Sequence, residues 1–407
     1  MSAVDEECES LLADCEECVD ALALRALLER ARREGRPLRV KLGVDPRRPD
    51  LTVGHAVVLG KLRTFQRYGH TVIFLVGDYT ARIGDPTGQD ESRPQLTADE
   101  VRAHARTYLE QAARVLDVTR AEVRFNSEWL APLSFQDVIR LASTYTVARM
   151  LEREDFQRRF HEGRPIHLHE FFYPLMQGYD SVALRADVEL GGMDQKFNLL
   201  VGRHLQREFG LPEQVLMLMP LLPGTDGAIK MGKSLGNAVH LTDPPAEMYG
   251  KLMSIPDTVL DPYIRLAARF EAPERERLLR GLAAGTVHPR TAKAAMARNV
   301  VALYHGEAAA RAAEEHFERV FQRHEAPEDA PEVRLPDELR PFDDVRVSRL
   351  VVALGLARSQ ADARRLISQG AVSLDGTVIR DPMQTVAARS GALVRVGKRR
   401  FARIALP

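Results

Sequence analysis

Two short segments hold residue types suited to handling a polyphosphate: Thr52-Val53-Gly54-His55 and Lys230-Met231-Gly232-Lys233-Ser234. The first follows a strand-like run, Arg39-Val40-Lys41-Leu42-Gly43-Val44, and opens an apolar-periodic segment through Ala56, Val57, Leu59, Leu62 and Phe65. His55 is therefore expected near a helix N-terminus, where unpaired backbone N–H groups and the positive end of the helix dipole favour anions. Gly54 lets a nucleotide come close to the backbone, and His55 can donate to a phosphate or ribose oxygen. The second segment sets two lysines three apart, with Gly227 before, Gly232 between and Gly236 after, the pattern of a loop able to close over a polyphosphate. Either match alone is also what a common strand-turn-helix or a solvated surface loop would show. Their order, and a separation of most of a nucleotide-binding domain, point to ATP chemistry.

The elements that must position these residues read as a parallel α/β sheet. Strand-like runs such as Thr71-Val72-Ile73-Phe74-Leu75-Val76 alternate with helical patterns, following an N-terminal helical segment from about Cys8 to Glu34. Val101 to Leu116 reads as an amphipathic helix, and Leu133 to Phe160 as helical material inserted into the sheet domain. From about Pro244 to Phe321 glycine thins, Ala, Leu, Arg and Glu dominate, and the segment reads all-helical. His324 to Pro341 carries four prolines among acids and is expected to stay extended as a linker. The expected domains are 1–243, with the insertion at about 130–170, then 244–323, a linker over 324–344, and 345–407.

The chain has 407 residues, 45% of them hydrophobic, enough for two or three cores. Its formal net charge is zero, so affinity for nucleic acid must come from uneven placement. The tail supplies it: from Val345 to Pro407 twelve basic residues face three acids. The acidic start, Asp5-Glu6-Glu7, is unlike a signal peptide, and no apolar run reaches the ~20 residues of a membrane helix. A cytoplasmic protein with no membrane association is expected. All three cysteines fall in the first eighteen residues. Cys15-x-x-Cys18 lacks the second ligand pair that a structural zinc site needs, so reduced thiols on an N-terminal helix are expected, and no metal.

The chain resembles the class I aminoacyl-tRNA synthetases, with Thr52 to His55 in the place of the HIGH signature and Lys230 to Ser234 matching KMSKS. Between them it is similar to the bacterial tyrosyl-tRNA synthetases, through Leu42-Gly43-Val44-Asp45-Pro46, Val76-Gly77-Asp78-Tyr79-Thr80 and Ile83-Gly84-Asp85-Pro86-Thr87-Gly88. The likeness continues in Tyr173-Pro174-Leu175-Met176-Gln177-Gly178-Tyr179-Asp180 and Gly191-Gly192-Met193-Asp194-Gln195. His167-x-His169-Glu170, leading into that stretch, resembles a structural segment of the family. Beyond the linker, Val347 to Ala357 resembles the opening of an S4-type RNA-binding module, followed by a helix from Ser359 and a hairpin turning at Asp375-Gly376.

The resemblance implies a Rossmann-like parallel-sheet catalytic domain, an all-helical anticodon-proximal domain and a small α+β S4-like domain, in a homodimer formed through the insertion. It implies activation of L-tyrosine by ATP, with Mg²⁺ on the phosphates and no tightly bound cofactor, and then transfer of tyrosine to tRNA(Tyr). Such a displacement rests on positioning and charge stabilisation and needs no catalytic triad. His55, Lys230 and Lys233 would stabilise the developing pyrophosphate, with Ser234 beside them. Gly54 and Gly192 would line the nucleotide site, and Asp194 would hold the ribose hydroxyls. Tyr173, Gln177 and Gln195 would lie near the amino acid's α-groups, Asp85 opposite its ammonium, Asp180 at the phenolic hydroxyl, and Thr80 beside them. Tyr173, Gln177 and Asp180 share one helix face by spacing, which suits a common pocket or a satisfied core network. Arg349, Arg358, Arg364 and Arg365 would meet RNA phosphates and 2′-hydroxyls, as a solvated basic face also could.

Three positions depart from the family pattern. Thr52 stands where the signature has its first histidine. Gln89-Asp90-Glu91 places acids where relatives carry bases, leaving Arg93 to grip pyrophosphate. Lys41 stands where one branch has a second tyrosine at the substrate hydroxyl and another branch has lysine. Slower activation is the expectation unless Arg47 compensates. Two rival functions stay open: a tryptophanyl enzyme, and a weakened paralogue acting as an RNA-binding or regulatory protein.

Overall fold

A computed structural model describes residues 2–87, 96–232, 235–319, 330–397 and 400–407. The chain forms two compact units, Met1–Ala310 and Arg311–Pro407.

The first unit is built on a six-stranded sheet of β1 (Glu17–Val19), β2 (Arg39–Val44), β3 (Thr71–Val76), β4 (Glu122–Phe125), β5 (Val188–Gly192) and β6 (Val215–Met219), in the order β1-β6-β5-β2-β3-β4. All neighbours run parallel except β1, which is antiparallel to β6. The central strands are apolar runs because helices cover both faces of such a sheet, and Val72 to Val76 are all buried. The helices Val53–Arg67, Leu168–Leu184 and Lys196–Glu208 provide that cover.

β1 overturns the reading of Cys8 to Glu34 as helical throughout. The helix Ala3–Leu12 ends, β1 follows, and the helix Ala21–Glu34 begins at Asp20, whose side chain accepts from the N–H groups of Leu22 and Ala23. Cys18 therefore lies in a strand and Cys15 just before it, neither on a helix. Three residues cannot display a strand period, and pairing with β6, about two hundred residues away, is what makes them one.

The Ala98–Ala112 helix, capped by Thr97, is the amphipathic helix expected at Val101. The insertion forms three short helices, Phe135–Ser143, Val147–Met150 and Glu154–His161. Helices Pro245–Met253, Ala272–Ala283 and Pro289–His305, with a π-helical turn at Tyr263–Ala267, make up the all-helical segment. They pack on the sheet unit rather than standing apart from it. The Tyr263 hydroxyl donates to Pro223 O at 2.8 Å, and Arg275 pairs with Asp14 at 2.7 Å.

The second unit has strands β7 (Glu332–Arg334), β8 (Val345–Arg346), β9 (Val372–Leu374), β10 (Thr377–Ile379), β11 (Thr385–Val386), β12 (Leu393–Val396) and β13 (Arg400–Ala405). Five form a sheet, β10-β9-β12-β13-β7, and β11 pairs with β8. The β9–β10 turn is the Asp375-Gly376 pair expected from sequence, both at positive φ. Helices Val347–Ala353 and Gln360–Ser368 pack on the sheet through Val347, Leu350, Val351, Ala363 and Ile367.

The expected linker is folded from residue 330 onward. β7 pairs in parallel with β13, and Leu335 and Leu339 are buried in this unit's core. Proline-rich, acidic composition hid a strand whose pairing partner lies some seventy residues later. Residues 320–329, the rest of that stretch's start, lie outside the described residues.

Candidate active site

β2 and β5 are neighbours although β3 and β4 come between them in the chain. The connections therefore leave these two strands toward opposite sides of the sheet, and a crevice opens beyond their C-terminal ends. A cleft of about 1350 Å³ lies there. Asp45 enters it just after β2, Gly192 at the end of β5 and Asp194 just after it, and His55 from the start of the Val53–Arg67 helix. A side chain at Gly77 would collide with Asp45 and Thr80, which explains the glycine.

Asp180 lies in the Leu168–Leu184 helix and is 2% exposed. Its Oδ1 accepts the Trp129 indole N–H at 2.8 Å and its Oδ2 the Asn126 side-chain N–H at 3.3 Å. Burial pushes its carboxyl up to about 7, against the positive charge of Lys41 and these two hydrogen bonds. Seven residues earlier, the buried Tyr173 hydroxyl donates to Asp45 Oδ2 at 2.9 Å, and the Thr80 hydroxyl donates to Asp45 Oδ1 at 2.8 Å. Burial raises Asp45 to about 6, opposed by the Thr80 hydrogen bond and reinforced by the Asp85 charge.

Asp85 has the opposite balance. Burial would raise it, but the Arg153 guanidinium and hydrogen bonds from Thr87 and Gln195 outweigh that and hold it below the usual carboxylate range. Gln195 Nε2 donates to Asp85 Oδ2 at 2.9 Å, and Arg153 pairs with Oδ1 at 3.3 Å. Gln177 Nε2 reaches Gln195 Oε1 at 3.4 Å, while Gln177 Oε1 is buried without a hydrogen-bond partner. A buried, unmatched carbonyl oxygen lining the same cleft as an ionised carboxylate suits a cationic donor such as an ammonium group. One end of the cleft thus offers negative charge and an open acceptor, and Asp180 supplies a deeply buried acceptor along the same helix.

The nucleotide side is less as expected. Asp194 and Lys230 both line the cleft, but they are paired with each other at 2.8 Å. Thr52 is buried, and its hydroxyl lies 2.7 Å from His55 Nδ1 instead of standing in for the missing histidine as a donor into the cleft. A side chain at Gly54 would come within 3.4 Å of that hydroxyl. Arg47 lines the cleft, with Nη1 donating to Ala81 O at 2.8 Å. Arg93, Lys233 and Ser234 lie outside the described residues. In the second unit Arg349, Arg358, Arg364 and Arg365 are exposed on or beside its two helices, Arg365 pairing with Asp362 at 2.7 Å.

Sequence reasoning missed Trp129, Asn126, Arg153 and Asn198. Asn198 donates to Gln195 Oε1 at 3.0 Å and accepts from Arg153 at 3.3 Å. Trp129 carried one signal, as the chain's only tryptophan. Arg153 carried none, because it comes from the insertion and reaches Asp85 only through the fold. Lys41, at the position where one branch has a second tyrosine and another has lysine, is fully buried and is not among the residues lining the cleft.

The family model described as tRNA synthetases class I (W and Y) matches residues 33–322, and the S4 domain model matches 345–389. The tyrosine–tRNA ligase of Moorella thermoacetica is 55% identical over 94% of this chain and 91% of its own length. That of Symbiobacterium thermophilum is 52% identical over 99% of this chain and 98% of its own. The crystal structure of tyrosyl-tRNA synthetase complexed with L-tyrosine from Archaeoglobus fulgidus shares the fold, with a TM-score of 0.62 at 24% identity over 76% of this chain and 99% of that one. A switch-point cleft with a buried carboxylate, joined to full-length likeness at about half identity, settles the relationship: the chain belongs to the class I tRNA synthetases for tryptophan and tyrosine, among the tyrosine–tRNA ligases.

Proposed function

We infer that the chain uses this cleft to join L-tyrosine to ATP, releasing pyrophosphate, and then passes the tyrosyl group to the 3′-terminal adenosine of tRNA(Tyr). The observation that carries the reading is Asp180, a carboxylate buried in the cleft wall and held by Trp129 and Asn126, so that its acceptor geometry is set before substrate arrives. A phenolic hydroxyl satisfies it, whereas phenylalanine leaves it unpaired, the discrimination for which this enzyme family is the standard example. Asp85, Gln177 and Gln195 then take the ammonium, and the tyrosine carboxylate attacks the α-phosphate in line.

His55, Lys230, Lys233 and Ser234 gather on the phosphates, and Arg93 takes the place of the loop's lost bases. Lys230 must exchange Asp194 for phosphate as ATP enters, which leaves Asp194 to the ribose. Mg²⁺ would enter with ATP and neutralise charge on its phosphates.

The exposed arginines of the second unit meet the tRNA backbone. The insertion carries exposed Phe135, Ile139, Val147, Phe160 and Leu168, apolar side chains suited to burial against a second copy of the chain. No helix among the described residues is long and apolar enough to cross a membrane. We place the protein's work in the cytoplasm, beside tRNA and ATP.

ATP–pyrophosphate exchange with tyrosine, tryptophan and phenylalanine offered separately tests activation without tRNA. Exchange with tyrosine alone is expected. Tight tRNA binding with no exchange by folded protein would transfer the case to an RNA-binding paralogue. Truncation before residue 330 should keep exchange and lose charging; equal loss of both would refute the role of the second unit.

A further inference from the structure

We propose that Thr52 is a positioning residue that holds His55 with its ring proton on Nε2, and is not itself a phosphate donor. The proposal rests on the reading of His55 as a phosphate ligand given above.

Two contacts converge on one ring nitrogen. The Thr52 backbone N–H points at His55 Nδ1 across 3.3 Å, and the Thr52 hydroxyl lies 2.7 Å from the same atom. An amide N–H can only donate, so Nδ1 presents its lone pair to it. The hydroxyl could donate or accept, but with Nδ1 unprotonated it donates. The single proton of a neutral imidazole then sits on Nε2, because the hydrogen bond made by one ring nitrogen decides what the other carries.

Thr52 is well placed to impose this. It is 1% exposed and precedes the Val53–Arg67 helix at extended φ −105°, ψ 166°. Its position is pinned by a bridge to His240 and by the next N–H, Val53 N, donating to Val239 O at 2.9 Å. His55 is the third residue of the helix, and its backbone N–H donates to Thr52 O at 2.9 Å. The ring is thus clamped to its own helix start, and Nε2–H is a donor whose direction is set before an anion arrives. An orientation fixed in advance is worth more to a developing charge than one found during the reaction. Thr52 therefore substitutes for a second histidine by fixing the one that remains, with its own hydroxyl committed to Nδ1.

The test uses the full chain with ¹⁵N-labelled histidine. The His55 ring signals are assigned by their loss in His55→Gln, and exchange kinetics are measured on Thr52→Val and Thr52→Ser. The proposal expects Nε2 protonated and Nδ1 hydrogen-bonded in the parent and in Thr52→Ser. In Thr52→Val the Nδ1 signal should shift or broaden, kcat for ATP–pyrophosphate exchange should fall about tenfold, and KM for tyrosine should stay unchanged. Protonation on Nδ1 in the parent would overturn it. So would a loss of rate in Thr52→Val with an unchanged ring spectrum, or a rate in Thr52→Ser as low as in Thr52→Val. Unchanged exchange in His55→Gln would instead remove the phosphate role of His55, while the parent spectrum still decides whether Thr52 orders the ring.

Discussion

Lys41 Nζ lies 2.8 Å from Glu189 Oε1, with both side chains shut away from solvent. The amine also donates to Ser181 Oγ at 2.7 Å, that hydroxyl donates to Glu189 Oε2 at 2.9 Å, and the Gln214 amide reaches the same oxygen. Every strong donor and acceptor of the pair is matched, the condition under which two buried charges are tolerated. Lys41→Met leaves Glu189 buried without its cation. We expect it to lower stability by about 3–5 kcal/mol in urea melts, with Lys41→Met/Glu189→Met regaining most of that. A single variant as stable as the parent would show that the pair does not hold this part of the sheet.

Asp180 gives the enzyme a pH signature. Burial holds its carboxyl at about 7, so below that pH it carries a proton, and accepting the tyrosine hydroxyl requires that proton to leave. Tyrosine binding should therefore release protons as pH falls below about 7 and release almost none well above it. Asp45, raised to about 6, titrates in the same window, so the measured midpoint belongs to both. Calorimetry of tyrosine binding in buffers of different ionisation enthalpy reads this directly. Proton uptake at pH 6 would contradict it.

Trp129 aims Asp180 at the substrate. Trp129→Phe removes the 2.8 Å indole hydrogen bond while keeping an aromatic ring in place. A hydrogen bond to a charged group contributes about 1.5–3 kcal/mol, so KM for tyrosine should rise tenfold or more and the preference over phenylalanine should fall. Exchange assays with the two amino acids measure both effects. Unchanged selectivity would mean that Asp180 is aimed by Asn126 alone.

The Asp194–Lys230 ion pair makes opposite predictions for two roles. If Asp194 serves the ribose, Asp194→Asn raises KM for ATP about tenfold or more and leaves KM for tyrosine alone. If the pair chiefly holds Lys230 away from phosphate, the same variant lowers KM for ATP. Steady-state exchange at varied ATP separates the two outcomes, and we expect the first.

The sequence by itself determined the parallel α/β core, the helical segment after it and the Asp375-Gly376 hairpin. Each is encoded by local periodicity or turn chemistry within a dozen residues. It also placed Tyr173, Gln177 and Asp180 on one helix face, since spacing along a helix fixes direction. Only the tertiary structure decided what those residues touch. Arg153 meets Asp85 across 68 positions, and Trp129 meets Asp180 across 51. It also turned Glu17–Val19 and Glu332–Arg334 into strands, although neither is long enough to show a period and each exists through its pairing with a distant strand. Burial was equally out of reach of a one-dimensional reading. Asp45, Asp85 and Asp180 are the same side chain in three settings: two are driven up by loss of water, and one is held down by a guanidinium that folding brings beside it.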